Sequence, residues 1–207
     1  MKKIFFASLL LLLFFIGYKI VVKRYESSSL EKETSLLADK KVDQTQVKEV
    51  KRIIKSNKKY NEKIAFFIDM KIPSGKNRFF VYDLVNNQIL DQGLVAHGSG
   101  SETNIKGKLK FSNVPNSLST SLGKYSIGKH YNGKFGKAYK LYGLDKTNSN
   151  AFVRDIVFHY YYDVPYNEQN GYICNSYGCP MVNKKYFERM AKIIDTSKSD
   201  ILMSIYY

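Results

Sequence analysis

Ile64-Ala65-Phe66-Phe67-Ile68-Asp69-Met70-Lys71-Ile72, then Phe79-Phe80-Val81-Tyr82-Asp83-Leu84, then Gln88-Ile89-Leu90-Asp91-Gln92-Gly93-Leu94-Val95-Ala96, are three short runs rich in aromatic and β-branched residues. Runs of this length and composition fit a pleated, half-buried surface and read as strands. Asn86-Asn87 between the second and third marks a tight hairpin turn, because asparagine tolerates the left-handed backbone that such turns use. These runs set the fold class as mainly β.

Downstream, residues 97–150 are full of Gly, Ser, Asn and Lys, and short strands are expected at 124–127, 138–142 and 156–160. The stretch Lys184–Thr196 reads as a helix, with Phe187, Met190, Ile193 and Ile194 on one side. Residues 201–206 return to a strand. Residues 64–207 thus form a mainly β domain with a single late helix, long enough to bury a core of its own.

Upstream, residues 23–63 are rich in Lys, Glu and Ser and poor in aromatics. The serines Ser27, Ser28 and Ser29 could cap a short helix. Asp43 followed by Gln46 has the form of a capping box ahead of Val47, Val50, Ile53 and Ile54, which share one helical face. The region reads as a partly helical stalk with a boundary near Lys63. Before it, Lys2 and Lys3 precede an apolar stretch that runs, with Lys19 near its end, to Val22. A spanning helix needs about 20 apolar residues, and no small-residue cleavage site follows. Residues 1–22 therefore read as an uncleaved signal anchor in preference to a cleaved signal peptide. The protein is expected to be exported, in the periplasm or cell envelope, and held at the membrane by this helix.

The chain of 207 residues carries 33 Lys+Arg against 18 Asp+Glu, a formal net charge of +15. The excess is spread without an arginine-rich block, which argues against a nucleic-acid partner and suits anionic envelope polymers or lipid head groups. Two cysteines are too few for a disulfide scaffold. No ligand spacing points to a metal, and no motif points to a cofactor. The glycine-rich Gly98-Ser99-Gly100-Ser101 lacks the Lys-Ser/Thr of a phosphate loop, and nothing sets Asp145 and Asp155 face to face as a glycosidase pair.

The densest chemical signal is Cys174-Asn175-Ser176-Tyr177-Gly178-Cys179-Pro180, with Val157-Phe158-His159 ahead of it. A cysteine nucleophile needs a base, a group to orient that base, and donors for an oxyanion. His159 ends an apolar strand where a sheet can hold an imidazole. Gly178 permits close backbone approach, and Pro180 stiffens the turn. A thiolate–imidazolium pair would lower the cysteine pKa. His97, opening a glycine-rich loop, is a rival base, and His130 reads as an exposed loop residue.

Around this core, Phe111-Ser112-Asn113, Ser121-Leu122-Gly123-Lys124-Tyr125, Tyr131-x-Gly133-Lys134-x-Gly136, Leu141-x-Gly143-Leu144-Asp145, Asn150-Ala151 with Arg154, and Ser176-x-Gly178-Cys179-Pro180 occur in that order. Together they resemble the murein L,D-transpeptidase catalytic domain family of the YkuD type, over about residues 64–206. The resemblance implies a β-sandwich or barrel that acts on peptidoglycan stem peptides through a thioester acyl-enzyme, without a cofactor, and that carbapenem-type inhibitors can trap. By this resemblance Cys179 is the nucleophile and His159 its base. Tyr160 orients the imidazole through its main-chain carbonyl, and the N–H groups around Gly178 and Cys179 hold the oxyanion. Ser176 would shape the turn. Substrate contacts would fall to Ser176, Tyr177, His97, Tyr125 and Arg154. Tyr177 stands where many relatives have a histidine, and Met181 where they have arginine or asparagine, differences that bear on substrate contacts.

Two other readings stay open at this point. A sortase-like or peptidase-type acyl transferase could use His97 with Cys179, although only Arg189 follows as the arginine it would need. A non-catalytic peptidoglycan-binding module would carry a Cys174–Cys179 bridge. For Arg154, a substrate carboxylate and a structural acid are both possible partners.

Overall fold

The computed structural model describes residues 42–134 and 136–207, with positions 18, 19, 21, 22 and 24 upstream, which are helical. The body of the expected anchor and the serine-capped turn lie outside the described residues. No helix among the described residues is long and apolar enough to cross a membrane.

The first helix, α1 (Gln44–Ser56), starts where the cap predicts: the Asp43 carboxylate accepts from the Thr45 N–H at 2.7 Å. Gln46 does not close the capping box. Its side-chain oxygen accepts instead from the Ser204 hydroxyl at 2.9 Å. Val47, Val50 and Ile54 are buried, packed in one cluster with Phe67, Phe80, Tyr82 and Leu202. Each such burial is worth about 2 kcal/mol. The compact unit accordingly runs from Val42 to Tyr207. The boundary expected near Lys63 lies too late, because the apolar stripe of this helix has a sheet face to cover.

Nine strands form one sheet: β1 (Tyr60–Asp69), β2 (Phe79–Asp83), β3 (Gln88–Gly93), β4 (Val95–Ala96), β5 (Gly123–Gly133), β6 (Gly136–Gly143), β7 (Val157–Tyr160), β8 (Met181–Val182) and β9 (Asp200–Tyr206). Their order is β3-β2-β1-β9-β5-β6-β7-β8-β4. The two outermost strands, β3 and β4, are separated in the chain by Leu94 alone. A sheet whose rims are joined by one residue must curl until they meet. The expected sandwich or barrel is met as one nine-stranded sheet curled toward closure.

β1 is buried on both faces. Phe66 and Ile68 enter the main core with Phe79, Tyr125, Tyr139, Phe158 and Met203, while Ala65 and Phe67 face the cluster under α1. The late helix α2 (Lys184–Thr196) is capped by Asn183, whose side chain accepts from the Lys185 N–H. It lays Phe187 and Met190 on the main core as expected, together with Tyr186, whose ring is fully enclosed. Ile193 and Ile194 are only half-buried at its end. In the β2–β3 hairpin the Asp83 carboxylate accepts from the Val85 and Asn86 N–H groups, and Asn87 takes φ +54°. β5 runs beyond the expected strand after a register shift between Ile127 and His130. His130 therefore sits on a strand, 3.5 Å from the Asp195 carboxylate, and not in a loop.

Candidate active site

β7 and β8 run parallel, with His159 opposite Met181 and Tyr160 opposite Val182. Side chains alternate along a strand, and register partners share a face. Phe158 and Val182 point into the main core. Val157, His159 and Met181 therefore occupy the other face. Two residues before Met181, Cys179 lies beyond the end of this ladder: the Val157 N–H lies 3.4 Å from its sulfur, and its thiol points at the Asp155 carbonyl, 3.6 Å away. The Cys179 sulfur thus meets the main chain of β7 two residues before His159.

The imidazole is fixed from behind. Its Nδ1 lies 2.9 Å from the Tyr160 carbonyl oxygen, which can only accept, so the proton sits on Nδ1 and the lone pair on Nε2. Burial pushes the His159 pKa down, partly offset by that carbonyl. Burial also pushes the Cys179 thiol up, against the Val157 N–H and Arg154, which favour the thiolate. Both shifts favour the uncharged forms of the two groups. The expected lowering of the cysteine pKa is reversed, because the sulfur is withdrawn from water further than its neighbours compensate.

The turn ahead of Cys179 is built from hydrogen bonds. The Ser176 N–H donates to the His97 carbonyl and the Ser99 N–H to the Ser176 carbonyl, both at 2.8 Å. The Ser176 hydroxyl accepts from the Gly178 N–H at 3.0 Å. Ser176 is buried and shapes the turn; its hydroxyl is not presented to a substrate. The Gly178 N–H is likewise engaged, so the oxyanion donor expected there is already committed, and the Cys179 amide is the remaining candidate in this turn. Gly178 itself has φ +117°, and a Cβ there would meet the Ser119 carbonyl oxygen at 2.9 Å. Only glycine fits this position.

The other predicted contacts divide. Tyr177 is 78 % exposed at the lip of the turn. Tyr125 is fully buried in the core and bonded to Ser121, out of reach of a substrate. Burial raises its pKa to about 12. Its place in the Ser-Leu-Gly-Lys-Tyr motif reflects packing. His97 is buried with both ring nitrogens engaged, by Arg78 and Glu102. Among the described residues Arg154 pairs with no acid. It donates to the Ser112 and Ser119 carbonyls and to the Ser117 and Ser121 hydroxyls, and so pins the 112–121 loop beside the sulfur. Cys174 and Cys179 are unbridged, contrary to the scaffolding alternative.

Three residues escaped the sequence reading. Asp155 holds φ +53° while its carbonyl meets the thiol, a sparsely populated conformation of the kind that gathers at functional sites. Its exposed carboxylate pairs with Lys140 at 2.7 Å. Arg78 is buried behind His97. Nothing in spacing or composition announces these three, since each depends on long-range packing. Among the described residues no group of three or more His, Cys, Asp or Glu could hold a metal ion.

The family model of the L,D-transpeptidase catalytic domain, YkuD_2, matches residues 35–206. The chain belongs to this family. Among solved structures, it is similar to the helical cell shape determining protein Pgp2 from Campylobacter jejuni, with 13 % identity and TM-score 0.45, covering 69 % of this chain and 47 % of that one. It is also similar to the L,D-transpeptidase of Xylanimonas cellulosilytica, with 13 % identity and TM-score 0.39 over 70 % and 61 % of the two chains. For the L,D-transpeptidase of Mycobacterium smegmatis the values are 10 %, 0.41, 70 % and 59 %. This chain spans about half the length of the Campylobacter structure. No curated protein matches it.

Proposed function

We propose that the protein is a cysteine L,D-transpeptidase acting on peptidoglycan stem peptides at the cell envelope. The observation that carries this reading is the contact of the Cys179 sulfur with the main chain of β7 two residues before His159, with the imidazole tautomer held by the Tyr160 carbonyl. In the first step the sulfur attacks the carbonyl carbon ahead of the terminal D-residue while Nε2 of His159 takes the thiol proton. The carbon–nitrogen bond then breaks, and the imidazolium returns that proton to the departing amine. A thioester on Cys179 remains. An acceptor amine attacks it, its proton passes to His159, and the thiol is restored. On this reading the Cys179 amide stabilises the oxyanion of each tetrahedral intermediate. The neutral pair suits this sequence, because the base is unprotonated at rest and takes its proton only as the bond forms. The apolar residues 4–22 are read as the anchor that keeps the domain at the membrane.

The test is incubation of the purified chain with a disaccharide tetrapeptide, followed by mass analysis. The expected products lack the terminal D-amino acid and carry either a cross-link or an exchanged residue. Cys179→Ala is expected to give none. Turnover by Cys179→Ala at the wild-type rate, or no release of the D-amino acid by the wild type, would remove this reading.

A further inference from the structure

Arg78 is 1 % exposed, yet its hydrogen bonds all go to neutral acceptors. Nε and Nη2 donate to the Val95 carbonyl at 3.0 and 2.7 Å, Nη1 to the Ile72 carbonyl at 3.1 Å, and Nη2 to Nδ1 of His97 at 2.9 Å. A guanidinium can only donate. Nδ1 of His97 is therefore the acceptor, and the imidazole proton sits on Nε2, which donates to the Glu102 carboxylate at 2.6 Å. Both ring nitrogens are committed, and the tautomer is set by the neighbours. Burial and the Arg78 charge push the His97 pKa down, against Glu102, which is consistent with a neutral ring.

This line of side chains ends on the turn that carries Cys179. The His97 carbonyl accepts from the Ser176 N–H, and Gly98 and Ser176 form a parallel bridge. The Asn175 side chain reaches the Glu102 carboxylate at 3.4 Å. Gly98 packs so tightly here that a Cβ would lie 2.9 Å from the Gly178 Cα. The proposed mechanism uses none of the three side chains. Among the described residues this buried cation forms no ion pair, and its desolvation cost is offset only in part by the charges of Asp69 and Glu102.

We propose that Arg78, His97 and Glu102 form a positioning relay that holds the 175–179 turn, and with it the Cys179 sulfur, beside the strand that carries His159. The relay rests on the reading of Cys179 as nucleophile. It makes His97 a positioning residue and assigns the base to His159 alone.

The test uses the full chain with a carbapenem as acylating probe, read by intact mass over a range of pH. Hydrogen exchange of the peptide containing residues 175–179 is measured beside it. His97→Ala and Glu102→Ala are expected to slow acylation by about tenfold to a hundredfold, the scale for a reacting group displaced by about an ångström. Glu102→Gln keeps an oxygen that can accept from Nε2 and should stay within about threefold of wild type. The double alanine variant should be no slower than the slower single one, since the pair acts as a unit. Exchange at 175–179 should quicken in both alanine variants, and the pH midpoint of acylation should not move. A shifted or lost pH limb in His97→Ala, additive losses, or wild-type rates and unchanged exchange in Glu102→Ala would overturn the relay. Should His97→Ala not fold, the Glu102 pair decides, because that side chain is half exposed at the edge of the relay. A wild-type chain that forms no adduct on Cys179 would refute the nucleophile instead, and the exchange arm would still judge the relay.

Discussion

Nδ1 of His159 and the carbonyl oxygen of Tyr160 lie 2.9 Å apart, between a side chain and the main chain of its own neighbour. One local contact therefore decides which imidazole nitrogen can receive a proton. Because that contact uses the main chain, Tyr160→Phe is expected to retain activity within about threefold, whereas His159→Ala should lose about a hundredfold to ten-thousandfold, the usual range for a general base. Carbapenem acylation rates of the two variants check this, and a ranking in the opposite order would transfer the role to the tyrosine side chain.

The pH dependence follows from the direction of two shifts. Burial lowers the His159 pKa and raises that of Cys179. As pH falls, acylation should persist until His159 takes up a proton, with a midpoint below that of an ordinary imidazole. Above that midpoint the rate should be flat through neutrality, because no thiolate needs to accumulate first. A rate that keeps rising tenfold per pH unit through neutrality would instead show that a thiolate of ordinary pKa is the reactive form.

Gly178→Ala places a Cβ against the Ser119 carbonyl at a positive φ. Strain of this kind costs about 1–3 kcal/mol. A lower melting temperature and a larger loss of acylation are both expected. A variant with wild-type values in both would mean that the turn relaxes freely.

Arg154→Ala removes four hydrogen bonds to neutral oxygens of the 112–121 loop, together with a charge that favours the Cys179 thiolate. At about 1 kcal/mol per bond, the destabilisation should be about 2–4 kcal/mol. Alkylation of Cys179 by iodoacetamide at fixed pH should slow. Arg154→Lys should recover part of the charge effect but little of the loop, since an ammonium cannot reproduce the planar fork. Faster alkylation in Arg154→Ala would contradict this assignment.

The helix from Gln44 to Ser56 is predicted to be structural. Val50 is completely buried, so Val50→Asp should destabilise the domain by more than about 3 kcal/mol as an unpaired buried charge. A chain beginning at residue 64 should expose Phe67, Phe80 and Tyr82 and melt well below one beginning at residue 42. Equal melting temperatures would restore the stalk.

Much of the fold could be read from period and punctuation. The strands around Phe66, Phe80 and Tyr139 announce themselves by aromatic content, and the late helix matches its predicted limits because Asn183 caps it and its apolar spacing is regular. Cys179, His159 and Gly178 stand out in the sequence because their chemistry or backbone freedom is local. What stayed hidden depends on distant chain segments meeting. The burial of Val47, Val50 and Ile54 is decided by a sheet face that no window around α1 contains. Tyr125 looks like a substrate contact until its hydroxyl is found on Ser121 in the interior. The rise in the Cys179 pKa could not be foreseen, because desolvation is a property of the packed molecule and not of the motif.

Leu94 alone links the first and last strands of the sheet order, and it works as a stitch across the seam of a rolled cloth. The roll cannot gape along that seam without stretching a bonded chain. Under the proposed function, a bulky wall polymer would then enter over the rim beside the exposed Tyr177. Evolution of a wider or narrower mouth would then proceed by editing that rim, while the circumference of the roll stays as it is.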